Sequence, residues 1–441
     1  MRPPPFQEHP LREMLLRELH ARPSEPLQMP ARISHMAVLS GEKPEDAEAD
    51  RAHMAALCAR LGGTAPAEGA KHHVTTFGGL TVKWERHTEF CTYTFFRQAH
   101  FSNAFADTVI EEIPGDWLAN LPGLVLSALH IAVVPNGNMD EPDAQDMSTR
   151  HFGGNKVLGS DVAGGSARVW ADFRMHTDHF TRIMIEDTGD PRRDSGRGGT
   201  IQRLIELNTY RALALLALPV AHDISPKLRR IDETLAEIST RMADPDDQTS
   251  DAELLGRLSQ VSADIESMAA RTSYRFNATR AYYGLVEQRL IDLRMTRIEG
   301  VHSIEGFLAR RLGPAMATCT SAAERQEVLS QRASRIGSLL RARVEVELEH
   351  QNRDLLDSMD KRAAMQLKLQ ETVEGLSVVA ISYYAVGLLG YVLKAAEKSV
   401  HAIDATVLTG LLAPLVIGVL WIGLQRTKRA LTKQPTDSDR Y

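Results

Sequence analysis

Leu376–Leu393 reads LSVVAISYYAVGLLGYVL and Ala405–Leu424 reads ATVLTGLLAPLVIGVLWIGL, eighteen and twenty residues without a charge, joined by Lys394–Asp404. At about 1.5 Å per residue, helices of these lengths would reach roughly 27 and 30 Å, close to the hydrocarbon thickness of a bilayer. The connection is too short for a domain, so the spacing predicts a transmembrane hairpin over 376–424 with both flanks on the same side. Pro414 is tolerated within a membrane helix when neighbours satisfy the freed carbonyl. A pair of buried core helices is the competing reading, and the length of the two runs and the basic tail argue against it.

Charge sets the expected orientation. Lys361, Arg362 and Lys368 precede the first run and Arg426, Lys428, Arg429 and Lys433 follow the second, against Lys394 and Lys398 in the connection. The positive-inside rule then predicts both termini on the cytoplasmic side of the membrane, with 425–441 as a basic tail. Gly387, Gly390, Gly410, Gly418 and Gly423 allow close helix approach, and Tyr391 and Trp421 stand where interfacial aromatics belong. Ser377, Ala380, Tyr384, Gly387 and Tyr391 recur at steps of three and four, which makes them the candidate helix-association or pore-facing residues of a homo-oligomer. The same residues equally suit the packing of two helices within one chain. Neither run holds a carboxylate or a basic residue to mark an ion relay, which counts against transport.

Upstream the chain reads as helical. Ser321 and Glu324 form a capping box, and 322–374 contains no proline and one glycine, Gly337, so 321–375 is expected to be a stalk helix. Leu340, Val344, Leu348, Leu355, Met359, Ala363, Leu367 and Val373 give it an amphipathic, coiled-coil-like pattern. A helical region is expected over 201–320. Within it lie a helix over Ile201–Leu218, a second opening at Ser225-Pro226, a loop at Asp244–Asp247, and a long run from Asp251 to Gly313-Pro314 with Gly300 as a break.

Residues 31–187 have a different character. Short β-like runs at Arg32–Leu39, His72–Phe77, Leu80–Arg86, Phe90–Arg97, Leu124–Val134, Ala167–Met175 and Phe180–Glu186 are separated by turn chemistry. The third and fourth read as an antiparallel hairpin broken at Thr88-Glu89. Helical patterns at Glu45–Leu61 and near Asp107–Ile113 make this an α+β, mixed α/β unit. Residues 188–200, within DTGDPRRDSGRGGT, form the linker to the helical region, and 1–30 is an N-terminal segment whose first residues lack the apolar run of a secretory signal.

The totals limit the function classes. At 441 residues the chain is expected to fold as more than one unit. A formal net charge of −6 gives no basic field to draw nucleic acid, and a mean hydropathy of −0.23 requires any membrane segment to be concentrated. Cys58, Cys91 and Cys319 are odd in number and far apart, which fits a reducing compartment.

No arrangement announces chemistry. His72-His73, with His87 and His100, could ligate a metal, yet adjacent strand residues point to opposite faces. Gly153-Gly154-Asn155-Lys156, Gly164-Gly165 and Gly196–Thr200 resemble phosphate loops without matching a phosphate motif, and Arg192, Arg193 and Arg197 suit either an anion or a solvated linker. GxSxG, HExxH and kinase signatures are absent. The expectation is therefore no enzyme, and no catalytic, cofactor-binding or metal residue, with a divalent cation kept only as a transported ion or ligand.

His9-Pro-Leu-Arg-Glu-Met14, Glu18-Leu-His-Ala-Arg-Pro23, Trp84-Glu-Arg-His-Thr-Glu-Phe90 and Val373-Glu-Gly-Leu-Ser-Val-Val-Ala-Ile-Ser-Tyr-Tyr384 together resemble the bacterial family of uncharacterised membrane-anchored proteins called domain of unknown function 3422. That resemblance covers essentially the whole chain and implies no activity, ligand or catalytic residue. The order of parts is also similar to that of CorA-type divalent-cation channels. Their Gly-Met-Asn triad is replaced here by Gly390-Tyr391-Val392, and Gly137-Asn138-Met139 lies elsewhere and in the wrong order. The expected function is a membrane-anchored, cytosol-facing structural or regulatory protein, with CorA-like cation transport by a homo-oligomer as the alternative.

Overall fold

The computed structural model describes residues 6–13, 15–16, 24–135, 144–188, 197–244, 249–397 and 405–431. Gly137–Met139, Arg192, Arg193, Gly196, Lys398, Lys433 and the whole Glu18–Pro23 element lie outside them. The chain divides into two compact units, Met1–Ser338 and Leu339–Tyr441.

The first unit is built on β1, Ala31–Leu39, whose sequence ARISHMAVL is buried along nearly its whole length. A strand without a solvated face belongs at the centre of a covered sheet. β2 (His72–Phe77), β3 (Leu80–Arg86), β4 (Phe90–Gln98), β5 (Leu124–Pro135), β6 (Leu158–Val162), β7 (Ala167–Ala171), β8 (Thr181–Asp187) and β9 (Thr296–Arg297) complete a nine-stranded sheet. Its order is β2-β3-β4-β1-β5-β8-β7-β6-β9. All neighbours run antiparallel except β5 and β8, so the expected mixed α+β sheet is present.

Alternation gives the sheet two unlike faces. Met36 and Val38 of β1 join Val82 and Trp84 of β3 and Tyr93 and Phe95 of β4 in an apolar layer. Over it lie α1 (Pro44–Leu61), through Met54, Leu57 and Cys58, and Trp117 of the short helix α2 (Gly115–Ala119). The other face carries His35, Lys83, Glu85, Thr92 and Thr94, in register as the rows Lys83–Thr94–His35 and Glu85–Thr92–Ala37. A second core around Phe152, Trp170 and Met184 fills the far half of the sheet beside α3 (Ala144–His151).

Helices α4 (Arg197–Leu215), α5 (Ala217–Ala243) and α6 (Asp251–Leu293) follow. The break falls at Leu216, so Ser225-Pro226 does not open a helix. Pro226 lies inside α5, where the Ser225 hydroxyl donates to the Ala221 carbonyl at 2.6 Å. Helix α6 is capped by Ser250, whose side chain accepts from the Glu253 amide, and it ends at Arg294 in the left-handed region. Gly300, also left-handed, then turns the chain, as expected of a break there.

Helix α7 runs from Ile304 to Glu397 and carries Pro314 within it, so it starts well before the Ser321–Glu324 box. Its buried residues Leu308, Leu312, Met316, Cys319, Ala322, Leu329, Ala333 and Ile336 recur at steps of three, four or a full heptad. That is the signature of one packed face. Arg325 and Arg332 reach Asp232 of α5 at 3.1 and 2.7 Å, and Gln326 accepts from Thr272 of α6 at 3.1 Å.

In the second unit, every residue of α7 from 341 to 377 is exposed except half-buried Val344, Ser358 and Glu374. Helix α8, Ala405–Leu431, packs along the final part of α7.

Candidate functional site

A cavity of about 80 Å³ lies between the polar face of the sheet and α4. The strands supply Lys83, Glu85, Thr92, Thr94 and His35, and α4 supplies Ile201, Ile205 and Thr209. Its polar lining follows from strand alternation, because Thr92 and Thr94 interleave with Cys91, Tyr93 and Phe95, which point the other way.

His35 ties the two walls together. Its Nδ1 pairs with the Thr94 hydroxyl at 2.8 Å and its Nε2 with the Thr209 hydroxyl at 3.1 Å. Burial, and then the nearby Lys83 ammonium, hold its pKa down at about 3, so the imidazole is neutral and bridges two hydroxyls. Lys83 Nζ sits 3.1 Å from Glu85 Oε1, with both side chains largely withdrawn from solvent.

A lock closes one end of the hairpin. Glu89, 4% exposed, receives Arg275 through both Nη atoms at 3.1 and 2.6 Å and the Tyr282 hydroxyl at 2.9 Å. On the opposite face Asp50 accepts from the Ser40 hydroxyl at 2.7 Å and lies 3.2 Å from Arg86 Nε. Desolvation raises the Asp50 pKa against those partners.

The histidines singled out by sequence do not converge. His72 and His100 are exposed, His73 bonds the Thr64 carbonyl at 2.6 Å, and His87 stacks on Phe90 at 4.2 Å. Among the described residues no group of three or more His, Cys, Asp and Glu side chains could hold a metal ion. The glycine runs also have local reasons. Gly164 and Gly165, both at positive φ, turn the β6–β7 hairpin, and Gly153 and Gly154 turn the chain after α3. Gly198 lies in the first turn of α4, where a Cβ would collide with the Glu25 carbonyl oxygen.

All three cysteines are buried, and burial raises each thiol, Cys91 to about 12. None has the low pKa of a nucleophile.

In the second unit, the face of α7 turned to α8 comprises Val378, Ser382, Val386 and Gly390. Ser382 is buried, and a Cβ on Gly390 would come 3.5 Å from Thr409 Cγ2. Tyr384, Gly387 and Tyr391 line the edge of the groove between α7 and α8, Ser377 and Ala380 lie outside it, and all five are exposed, Tyr384 at 71% and Tyr391 at 77%.

The sequence profile of the family described as "Protein of unknown function (DUF3422)" matches residues 7–431. The chain belongs to this family. No curated protein and no solved structure matches it, so the likeness in architecture to CorA-type channels gains no support. Membership of the family brings no activity to the cavity, whose residues no sequence motif marks. The signal available for them was the polar row hidden in the alternation of β3 and β4.

Proposed function

We propose that the chain is a membrane-anchored protein of structural or regulatory role, in which the end of α7 and helix α8 cross a bilayer and hold the sheet and helical unit at its cytoplasmic face. One contrast carries this reading. Three stretches among the described residues are long and apolar enough to cross a membrane, Arg197–Ala243, Ile304–Ala396 and Ala405–Gly423. Half of the apolar window in the first is buried inside the fold, against 6% in each of the other two. The first therefore already has its apolar environment, and the others need one. Leu376, Val379, Leu388, Leu411, Leu415 and Val419 are each more than 60% exposed, and an uninterrupted apolar surface of that extent is stable in lipid rather than in water.

Charge supports the orientation, because Lys361, Arg362 and Lys368 lie before the first run and Arg426, Lys428 and Arg429 after the second. Reporter tags at the two ends test it. Signal from the cytoplasm at both ends supports the proposal, and periplasmic signal at either end removes it.

A second reading, self-association, rests on the exposed stripe of α7. Leu348, Leu355, Met359 and Val373 are more than half exposed, and Ser377, Ala380, Tyr384, Gly387 and Tyr391 remain exposed further along the same helix. Repeating apolar residues on an otherwise charged helix favour a second copy as partner. Light scattering of the detergent-solubilised chain tests this, since the mass of a single protomer contradicts it. Divalent-cation flux through such an oligomer is the remaining alternative, and liposomes no leakier than empty vesicles exclude it.

A further inference from the structure

The cavity between the sheet and α4 combines features that packing alone does not call for. Its β3 wall presents the Lys83–Glu85 ion pair at 3.1 Å, with side chains 7% and 14% exposed. Burying such a pair costs desolvation, and an apolar pair of similar volume would commonly pack at no loss. Beside it, Thr92 is 4% exposed and its Oγ1 has no hydrogen-bond partner among the described residues. An unmade bond of that kind costs about 1–3 kcal/mol. Facing this polar end, Phe96, Ile201 and Ile205 supply an apolar wall. His35 is already committed through both ring nitrogens to Thr94 and Thr209.

We infer that this cavity binds a small zwitterion, its carboxylate on Lys83, its ammonium on Glu85, and Thr92 Oγ1 completing the bonds to its polar end. Of the other lining carboxylates, Glu206 is answered by Arg289 and Glu25 is only half-buried, so the Lys83–Glu85 pair selects the class. A ligand with one charge would bring an unmatched charge into the interior, which is strongly unfavourable. A zwitterion answers both and adds no net charge to the interior. Size narrows the choice. The cavity measures about 80 Å³, the room of about three waters at roughly 30 Å³ apiece. A small α-amino acid, its short side chain against Ile201 and Ile205, matches that room. This inference does not depend on the membrane reading.

The test is isothermal titration of the full-length chain in detergent with glycine, L-alanine, L-serine, L-threonine and L-valine, and with propionate and propylamine as single-charge analogues. At least one amino acid is expected to bind saturably, with both analogues at least about tenfold weaker, the loss expected when one charged contact is missing. Thr92→Val and Glu85→Gln should each weaken the same amino acid by about tenfold, with tryptophan fluorescence confirming that each variant folds. Discrimination by the unaltered chain decides the matter even where a variant fails to fold. Absence of saturable binding by all five amino acids, or equal binding by propionate or propylamine, overturns the inference.

Discussion

Glu89, at the turn between β3 and β4, receives both terminal nitrogens of Arg275 in α6, at 3.1 and 2.6 Å. A strand hairpin and a helix far along the chain are thereby joined by a fork-shaped, charge-assisted contact in a poorly solvated place. Removing either partner strands the other. Arg275→Met is expected to destabilise the first unit by about 3 kcal/mol, and Glu89→Leu combined with Arg275→Met should recover a large part of that loss. Thermal unfolding followed by tryptophan fluorescence checks both, and a double variant no more stable than the single one contradicts the account.

Gly198 is required because the segment at Glu25 passes over the first turn of α4 with no room for a Cβ. Gly198→Ala should force the two apart, cost about 1–3 kcal/mol, and speed protease cleavage near residues 24–28. An alanine variant with unchanged stability and cleavage would show that the crossing is loose.

Acid should weaken the first unit through buried His35 and His130 and half-buried His53. Burial holds His35 at about 3, and His53 and His130 at about 4. In the unfolded chain an imidazole takes up its proton near pH 6.5, so between these limits the unfolded state binds more protons than the folded one. Stability is then fully present above about pH 6.5 and declines as the pH falls, with His35 alone accounting for about 2 kcal/mol between roughly pH 6.5 and 5. Urea unfolding at the two pH values measures it, and His35→Gln should flatten the slope by about that amount.

Much of this architecture is legible in the residues. Alternation places most strands of the sheet, and the change of period after the Asp187–Thr200 stretch marks where helices take over. β6 and β9 escape notice, because Leu-Gly-Ser-Asp-Val and the pair Thr296-Arg297 are too short and too polar to show a period of two. Pro226 and Pro314 mislead as helix signals. Both lie inside helices, where the packing of buried leucines and isoleucines on either side outweighs one lost backbone hydrogen bond. The cavity was hidden for another reason. Thr92 and Thr94 look like an ordinary solvated strand face until α4, distant in sequence, is laid over them.

The small residues of the apolar helices make unequal predictions. Gly390 meets Thr409 of α8, whereas a Cβ on Gly387 meets nothing within 4 Å. Gly390→Leu should loosen the helix pair and lower its melting point in detergent. Gly387→Leu should leave the pair intact and change only the oligomeric mass. Equal effects of the two on melting would contradict the packing described for α7 and α8.

The anchor itself is tested most directly by washing membranes that contain the full-length chain with alkaline carbonate. Helices 376–393 and 405–424 embedded in hydrocarbon keep the protein in the pellet with the lipid. Release of the intact chain into the supernatant would contradict the account.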